Sequence, residues 1–244
     1  MIATGANNIK PCRTDPEREY CHLPANSRVV SSNQRGLHPR LCTVVRRHLQ
    51  NSYRRQAAPH SVSAFRLLLA RLAQDPRPLV LDSFCGTGQS TAILAGRHPG
   101  HLVVGIDKSG HRLGRHAGDP TGDYLLLQAD CGDIWQLLLH EGLGLAFHYL
   151  LYPNPWPKAR HLQRRIHGNG SFSWLLQLGG HIELRSNWPL YVEEFGVAMH
   201  LAGHPGVVAR LPDTPQAITL FEEKYQRSGH PLWRFQGRIQ RAPP

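Results

Sequence analysis

The 244-residue sequence lacks the patterns that define several common protein classes. Its five cysteines are scattered and never stand in C-x-x-C spacing, so we expect neither a disulfide framework nor a bound metal. No apolar run approaches the roughly 18 residues that span a bilayer, and the first twenty residues contain no apolar signal segment. We therefore expect a cytoplasmic protein that does not contact a membrane.

Two nucleotide-binding fingerprints are also missing. A dinucleotide-binding dehydrogenase would carry G-x-G-x-x-G, and a P-loop enzyme would carry G-K-[ST]; neither pattern occurs. Their absence excludes the two commonest classes of α/β nucleotide-binding enzyme.

Acidic residues are absent from positions 20 to 74, where nine arginines occur. Over the whole chain 28 Lys and Arg outnumber 17 Asp and Glu, a net charge of +11, which favours a polyanionic partner. We expect this partner to be RNA. We divide the chain into a basic, partly disordered extension over residues 1–60 and one domain over residues 61–244. The nine arginines are Arg28, Arg35, Arg40, Arg46, Arg47, Arg54, Arg55, Arg66 and Arg71.

The apolar pattern of the domain predicts an α/β fold. A short apolar strand reaching Asp82 is followed by a glycine turn and a helical segment, the first unit of a doubly wound sheet. Seven such strands predict a mostly parallel sheet with a C-terminal antiparallel hairpin. Because ligands in such sheets bind beyond the carboxyl ends of the strands, the polar residues at four strand ends should line one crevice. These residues are Asp82, Asp107, Asp130 and Asn154.

The turn after the first strand, D-S-F-C-G-T-G over residues 82–88, resembles the glycine loop of class I S-adenosylmethionine-dependent methyltransferases. Gly86 and Gly88 match two of the three glycines in that loop, and glycine allows the backbone to approach the ligand closely. Phe84 stands where the first glycine is expected. The resemblance implies a Rossmann-like fold and S-adenosylmethionine as cofactor.

A second segment, P-N-P-W-P-K-A-R-H-L-Q-R-R-I over residues 153–166, resembles the P-D-P-W-x-K-x-R-H-x-x-R-R motif of bacterial tRNA (guanine-N7)-methyltransferases. Two further segments agree in order and spacing. L-G-G at residues 178–180 with S-N-W-P-L-Y at 186–191 is similar to L-G-G…T-D-W-x-x-Y, and T-L-F-E at 219–222 is similar to T-K-F-E. The sequence is therefore identified as a divergent member of this family, with Asn at two positions where Asp is usual.

The resemblance implies that the protein methylates N7 of a guanine in tRNA, as a monomer or weak homodimer without a metal. Asn154 would face both the methyl donor and the base as the catalytic residue. The other cofactor-binding residues would be Asp82, Gly86, Gly88, Asp107 and Asp130. The implied substrate-binding residues are Lys158, Arg160, His161, Arg164, Arg165, Asn187, Thr219, Phe221 and Glu222. From the spacing, we predict that Arg160 and Arg164 share one face of a helix that meets the tRNA backbone.

The two asparagines leave two alternatives open. Asn154-Pro155-Trp156 resembles the N-P-P-[FYW] step of methyltransferases that act on exocyclic amino groups of bases. A catalytically weak RNA-binding relative would also explain Phe84, Asn154 and Asn187 together. If N7 is the target, Glu183 or Glu222 could compensate for the missing carboxylates.

Overall fold

A seven-stranded sheet forms the centre of the computed structural model, which describes residues 27–119, 122–212 and 216–241. The strand order is β3-β2-β1-β4-β5-β7-β6. Strands β1 to β5 pair in parallel, whereas β7 runs antiparallel to both β5 and β6, so the predicted fold class is confirmed. The strands are β1 Leu79–Ser83, β2 Leu102–Asp107, β3 Tyr124–Gln128, β4 Leu145–Leu151, β5 Gly180–Ser186, β6 Gly206–Arg210 and β7 Trp233–Ile239.

Helices cover both faces of the sheet and form two apolar cores. Because side chains alternate along a strand, Leu79 and Leu81 of β1 join the larger core, whereas Val80 joins the smaller one beside Leu94. The α-helices are α1 Leu41–Gln50, α2 Pro59–Gln74, α3 Gln89–Arg97, α4 Gly110–Leu113, α5 Cys131–His140, α6 Phe172–Gln177, α7 Pro189–Leu201 and α8 Leu220–Arg227. Two 3₁₀ helices span Ala159–Arg164 and Ile166–Gly168.

The larger core extends into the basic N-terminal region. Leu41, Val44 and Val45 of α1 are buried in this core, and the expected domain boundary at residue 60 falls inside α2. Helix α2 begins at Pro59, where proline is favoured because it has no N–H to leave unpaired at a first helical position. The disordered arm that the sequence predicts falls mostly within residues 1–26, which lie outside the described residues.

Residues 27–38 form an extended segment that we call the strap. The backbone N–H of Ser27 donates to Ser228 Oγ at 3.2 Å, just after α8. The Ser32 hydroxyl donates to the Pro157 carbonyl at 2.6 Å, and the side chain of Asn33 accepts from Ala159 N at 3.1 Å. The strap therefore joins the end of α8 to the turn that follows β4. Within the described residues, no helix combines the length and apolar composition that a membrane crossing requires.

Candidate active site

The loop between β1 and α3 is held in left-handed backbone geometry. Gly86 has φ +63° and Gly88 has φ +79°, which favour glycine. A Cβ at Gly88 would lie 2.7 Å from Leu126 Cδ1, so any larger residue there would collide with β3. Phe84 has φ 66°, a backbone angle that favours glycine. This angle explains why the related loops carry glycine at this position.

Asp82 lies beneath this loop and not on a cavity wall. Its side chain is fully buried and accepts hydrogen bonds from Ser90 Oγ at 2.6 Å and Thr91 Oγ1 at 2.8 Å. Burial raises the pKa of Asp82 to about 6. The carboxylate fixes the first turn of α3 against β1 and positions the loop, and direct contact of Asp82 with the cofactor stays a prediction.

Asp107 ends β2 and faces the cavity described below. Its Oδ2 accepts from Gly86 N at 3.0 Å, its Oδ1 accepts from Ser109 N at 2.8 Å, and Arg112 pairs with Oδ1 at 3.1 Å. The carboxylate thus holds the glycine loop in place, and its Oδ2 keeps a lone pair for a further donor.

Asp130 caps the N-terminus of α5 at the end of the next strand. Its Oδ1 accepts from Gly132 N at 3.0 Å and pairs with Arg55 Nη2 at 2.7 Å. Arg55 also contacts Asp133. Burial opposes ionisation of Asp133, but hydrogen bonds from Arg55 and Ser61 outweigh it, and its pKa lies below the usual range.

The turn after β4 is strained on both sides of Asn154. Tyr152 has φ 53° and Trp156 has φ 48°; with Phe84 they are the three non-glycine residues with positive φ in the described chain. Asn154 Oδ1 accepts from Trp156 N at 3.3 Å, which closes the turn, and the Asn154 side chain is exposed. All three strained residues line one cavity, a pattern typical of functional sites.

This cavity has a volume of about 250 Å³ and lies across the carboxyl ends of β1 to β4. Of the residues predicted for the site, it brings together Asp107, Asp130, Asn154, Arg164 and Phe221. The strand-end pattern did not single out the other lining residues. Lys108, Arg112 and Tyr152 lie within five residues of a strand end, and this position is the sequence feature that points to the cavity. The remaining ones are Phe84, Cys131, Pro153, Trp156 and Ile166.

Burial keeps two ionisable side chains of this cavity protonated. Burial raises the pKa of the Cys131 thiol, so the thiol stays protonated and is not a nucleophile. Burial likewise raises the pKa of the Tyr152 phenol. Because the carboxylates of Asp107 and Asp130 are engaged by the glycine loop, Arg112 and Arg55, the cavity suits a reaction that depends on positioning and electrostatic stabilisation.

An aromatic and cationic rim borders the cavity beyond Asn154. The Arg164 guanidinium lies 4.8 Å from the centre of the half-buried Trp156 ring, and His161 meets that ring edge-on at 5.6 Å. Residues 159–164 form a 3₁₀ helix, in which positions three apart are eclipsed. The predicted shared face of Arg160 and Arg164 is therefore wrong, and His161 shares a face with Arg164. Lys158 and Arg160 are exposed beside them.

Arg165 does not contact solvent, so its predicted role on the tRNA backbone is wrong. Its side chain is 0% exposed, forms an ion pair with Glu194 and lies 4.9 Å above the buried Trp188 ring. Its Nε and Nη2 both donate to the Trp156 carbonyl at 3.3 Å. Arg165 therefore positions the strained Trp156 from inside the protein.

Three further predicted guanine contacts lie away from the cavity wall. Asn187 is buried and donates to His230 Nδ1 at 3.2 Å. Thr219 caps α8 by accepting from Glu222 N at 2.9 Å. Glu222 is buried against Arg185, its Oε1 at 2.9 Å from Nη1. These residues hold α8 and β5 in place, and only Phe221 of this segment reaches the cavity.

Glu183 is also held by other side chains and lies away from the cavity, so it does not supply the carboxylate that Asn154 lacks. It pairs with Arg185 at 2.5 Å and accepts from Gln236 Nε2 at 2.7 Å. Neither Glu183 nor Glu222 lines the cavity, so its acidic side chains in the described chain are Asp107 and Asp130.

Comparison with known proteins agrees with the fold. A 16S rRNA methyltransferase, KamB, superposes with a TM-score of 0.53 at 17% identity, covering 78% of this chain and 97% of that one. A family model described as putative methyltransferase matches residues 76–235, which include every cavity-lining residue. The fold and the strand-end cavity thus define a Rossmann-like methyltransferase.

The curated relatives are more specific. A tRNA (guanine-N(7)-)-methyltransferase of Nocardioides sp. is 32% identical over 177 residues, which are 67% of this chain and 68% of that protein. Another, of Sphingopyxis alaskensis, is 29% identical over 189 residues, 69% of this chain and 78% of the relative. The chain belongs to the tRNA (guanine-N7)-methyltransferase family.

Proposed function

We propose that the protein transfers the methyl group of S-adenosylmethionine to N7 of a guanine in tRNA. The observation that carries this proposal is one cavity whose floor holds Asp107 and Asp130 and whose rim holds Trp156 and Arg164. The floor suits a nucleoside cofactor, whereas the rim suits a base and a phosphate. Since tRNA is the proposed substrate, we place the reaction in the cytoplasm.

The residues of the floor fit S-adenosylmethionine. Asp107 retains acceptor capacity for ribose hydroxyls, and Asp130 retains it for an amino group of the adenine. Cys131 and Ile166 add apolar surface for the adenine ring, and Gly86 and Gly88 keep the loop free of side chains. The bound cofactor supplies an electrophilic methyl group on a sulfonium sulfur.

For this reaction the protein has mainly to orient the guanine and the methyl donor. The lone pair of guanine N7 forms the new C–N bond as the C–S bond breaks, so the positive charge passes from sulfur to the purine and no proton is lost. The rigid turn at Asn154, fixed by Pro153 and Pro155, would hold the base in line with the methyl group. The Asn154 amide would stabilise the charged purine by its dipole, where the family motif has a carboxylate.

The exposed cations of the rim would bind the tRNA backbone. Lys158, Arg160 and Arg164 are exposed on the segment that borders the cavity. The half-buried His161, whose pKa is lowered by desolvation and the neighbouring cations, would act as a neutral hydrogen-bonding group. The net charge of +11 attracts a polyanion over a longer range. Arg165 is excluded from this role because its charge is neutralised inside the protein by Glu194.

The direct test is identification of the product. The protein would be incubated with methyl-labelled S-adenosylmethionine and bulk tRNA, and the digested nucleosides would be identified by mass spectrometry. We expect 7-methylguanosine. An N2- or N6-methylated nucleoside would instead select the amino-group alternative, and cofactor binding by calorimetry without any product would select a catalytically weak RNA-binding relative.

A further inference from the structure

A second and larger concavity lies beside the methyl-transfer cavity. It has a volume of about 820 Å³ and lies between residues 48–56, which comprise the end of α1 and the segment after it, and the outer surfaces of α5 and α6. We call it the α5 groove. Residues 48–56 lie outside the region 76–235 that the family model matches, so this wall is not part of the matched methyltransferase region.

The groove begins at the rim of the methyl-transfer cavity. Arg55 lines the groove, and its guanidinium pairs with Asp130, which lines the cavity. From this shared wall α5 extends over ten residues to His140, which also lines the groove. On α5 the groove is lined by Gln136, Leu139 and His140. At about 1.5 Å per residue, His140 lies ~15 Å along the helix from the cavity, a distance that about four stacked nucleotides span at roughly 3.4 Å each.

The lining of the groove suits RNA. It contains no acidic side chain, and Arg54 is exposed and pairs with no acidic residue in the described part of the chain. The charge of Arg55, by contrast, is balanced by Asp130 and Asp133. Arg54 thus supplies a cation to the groove that no neighbouring carboxylate neutralises. Five side-chain amides also line the groove: Gln50, Asn51, Gln56, Gln136 and Gln177.

One of these amides is left unsatisfied in the protein. Gln136 Oε1 is buried from solvent and has no hydrogen-bond partner among the described residues. An unmet buried acceptor is unfavourable, and rotation of the terminal amide would turn this oxygen towards the groove, where the amino group of a base would donate to it. Amides of this kind recognise base edges, whereas arginine recognises phosphate, so the groove can bind both parts of a nucleotide.

We infer that a single-stranded segment of tRNA next to the methylated guanine lies in the α5 groove, with a phosphate on Arg54 and a base edge on Gln136. The inference rests on the proposed function in taking tRNA as the substrate. It adds a second contact region, which would hold the nucleotides flanking the target while Trp156 and Arg164 hold the target itself.

The first test compares Arg54→Ala with Arg97→Ala. Arg97 is equally exposed but lies at the end of α3, on the opposite face of the sheet, and serves as the matched control. Binding of tRNA would be measured across a salt series. We expect Arg54→Ala to weaken binding about 3- to 10-fold and to reduce the salt slope by about one, with no change for Arg97→Ala. A wild-type slope in Arg54→Ala would overturn the inference.

Gln136→Leu separates an RNA contact from a structural role. Removal of an unsatisfied buried acceptor should leave the melting temperature unchanged or raised. The affinity for tRNA should nevertheless fall about 5-fold with an unchanged salt slope, because a base contact releases no counterion. Unchanged affinity for tRNA would count against the groove.

Cross-linking locates the RNA without requiring catalysis. A tRNA transcript carrying 4-thiouridine beside the target guanine would be cross-linked to the full chain, and the attached peptides mapped. Cross-links to residues 48–56 or 136–140 support the inference, and cross-links confined to 156–164 contradict it. If these cross-links form but no 7-methylguanosine appears, the proposed reaction fails while tRNA binding in the groove stands.

Discussion

Asn154 is the residue at which this chain departs most directly from its family motif. Its side chain is exposed at the cavity, and neither Glu183 nor Glu222 reaches it to supply a carboxylate. In the proposed reaction the amide would therefore face a purine that becomes cationic as N7 is methylated. A dipole stabilises such a charge less well than a carboxylate does.

Asn154→Asp should therefore accelerate methyl transfer. A preorganised electrostatic partner in a closed site contributes of order 2.7–4 kcal/mol, and solvent at this exposed position reduces the effect to about a tenfold increase. Single-turnover methylation of tRNA measures the rate, with Asn154→Ala as a control that should be slower than wild type. A slower Asn154→Asp enzyme would contradict the role assigned to this residue.

Phe84 combines backbone strain with a ring that lines the cavity. Its φ of 66° disfavours any residue with a Cβ, and its ring makes an edge contact with Trp135 at 6.2 Å. Two substitutions separate these effects. Phe84→Ala removes only the ring, whereas Phe84→Gly also relieves the strain.

We expect Phe84→Gly to be more stable than Phe84→Ala by about 1 kcal/mol, measured by denaturant unfolding. Both variants should bind S-adenosylmethionine at least as tightly as wild type in calorimetry, because the loop then resembles the three-glycine form. Weaker cofactor binding in both would indicate that the Phe84 ring itself contacts the cofactor.

Among the elements, the basic segment after β4 contains adjacent arginines with opposite environments. Arg164 is exposed on the rim, whereas Arg165 is buried between Glu194 and Trp188. Glu194 also accepts from His38 N at 2.8 Å and Gln34 Nε2 at 2.6 Å. Glu194 Oε2 also contacts His167 Nε2 at 3.1 Å, and burial lowers the pKa of His167. Without Arg165 this buried carboxylate would therefore lose its permanent cation.

Arg165→Ala should destabilise the protein by about 3–5 kcal/mol, as expected when one partner of a buried ion pair is removed. Arg164→Ala should change the free energy of unfolding by less than about 0.5 kcal/mol, because Arg164 is exposed. Chemical denaturation of both variants makes the comparison. Similar stabilities would mean that Arg165 does not hold this segment together.

Asp82, beneath the loop between β1 and α3, predicts how the stability of the protein depends on pH. Burial raises the pKa of Asp82 to about 6 in the folded protein, against 3.8 for an unperturbed aspartate. The native state therefore binds the proton more tightly, so this group adds stability as pH falls through 6 towards 3.8 and weakens stability above pH 6.

Asp82→Asn should remove that contribution, since Asn can still accept from Ser90 and Thr91 but does not titrate. The free energy of unfolding of wild type relative to Asp82→Asn should rise by about 1 kcal/mol between pH 7 and pH 5. Urea unfolding at the two pH values tests this. A constant difference would show that Asp82 titrates near its ordinary pKa.

Local sequence patterns were enough to predict the sheet. Of the four strand-end residues that they predicted for the site, three line the cavity: Asp107, Asp130 and Asn154. The patterns could not separate Arg164 from Arg165, because burial of Arg165 depends on Glu194, 29 residues further along the chain. Two local signals were nevertheless present. The T-x-x-E pattern of Thr219 and Glu222 is typical of a helix start, and the apolar spacing of residues 41, 44 and 45 predicts a buried helix despite its charge.

At the scale of the whole molecule, the excess of positive charge should make tRNA binding strongly dependent on salt. With about four to six phosphate contacts at the rim and beyond, the logarithm of the association constant should fall with a slope of about −3 to −5 against the logarithm of salt concentration. Arg164→Ala should lower the magnitude of this slope by about one.

Filter binding over a salt series measures these slopes. Arg238→Ala is the control, because Arg238 is an exposed arginine on β7 that does not line the cavity. Equal losses in both variants would indicate a general effect of net charge in place of a phosphate contact at Arg164.

The strap also determines the order in which the site can form during synthesis. Its contacts join Ser27 to Ser228 and Ser32 to Pro157, across sequence separations of 201 and 125 residues. A chain that grows from its N-terminus cannot make the first contact until almost all of the protein has left the ribosome. The glycine loop and the first three strands can fold earlier. The strap can therefore contact the turn of Asn154 and Trp156 before synthesis ends, but it is fixed at α8 only when synthesis is nearly complete. Chains truncated before residue 228 would lack that second attachment even if their sheet were native.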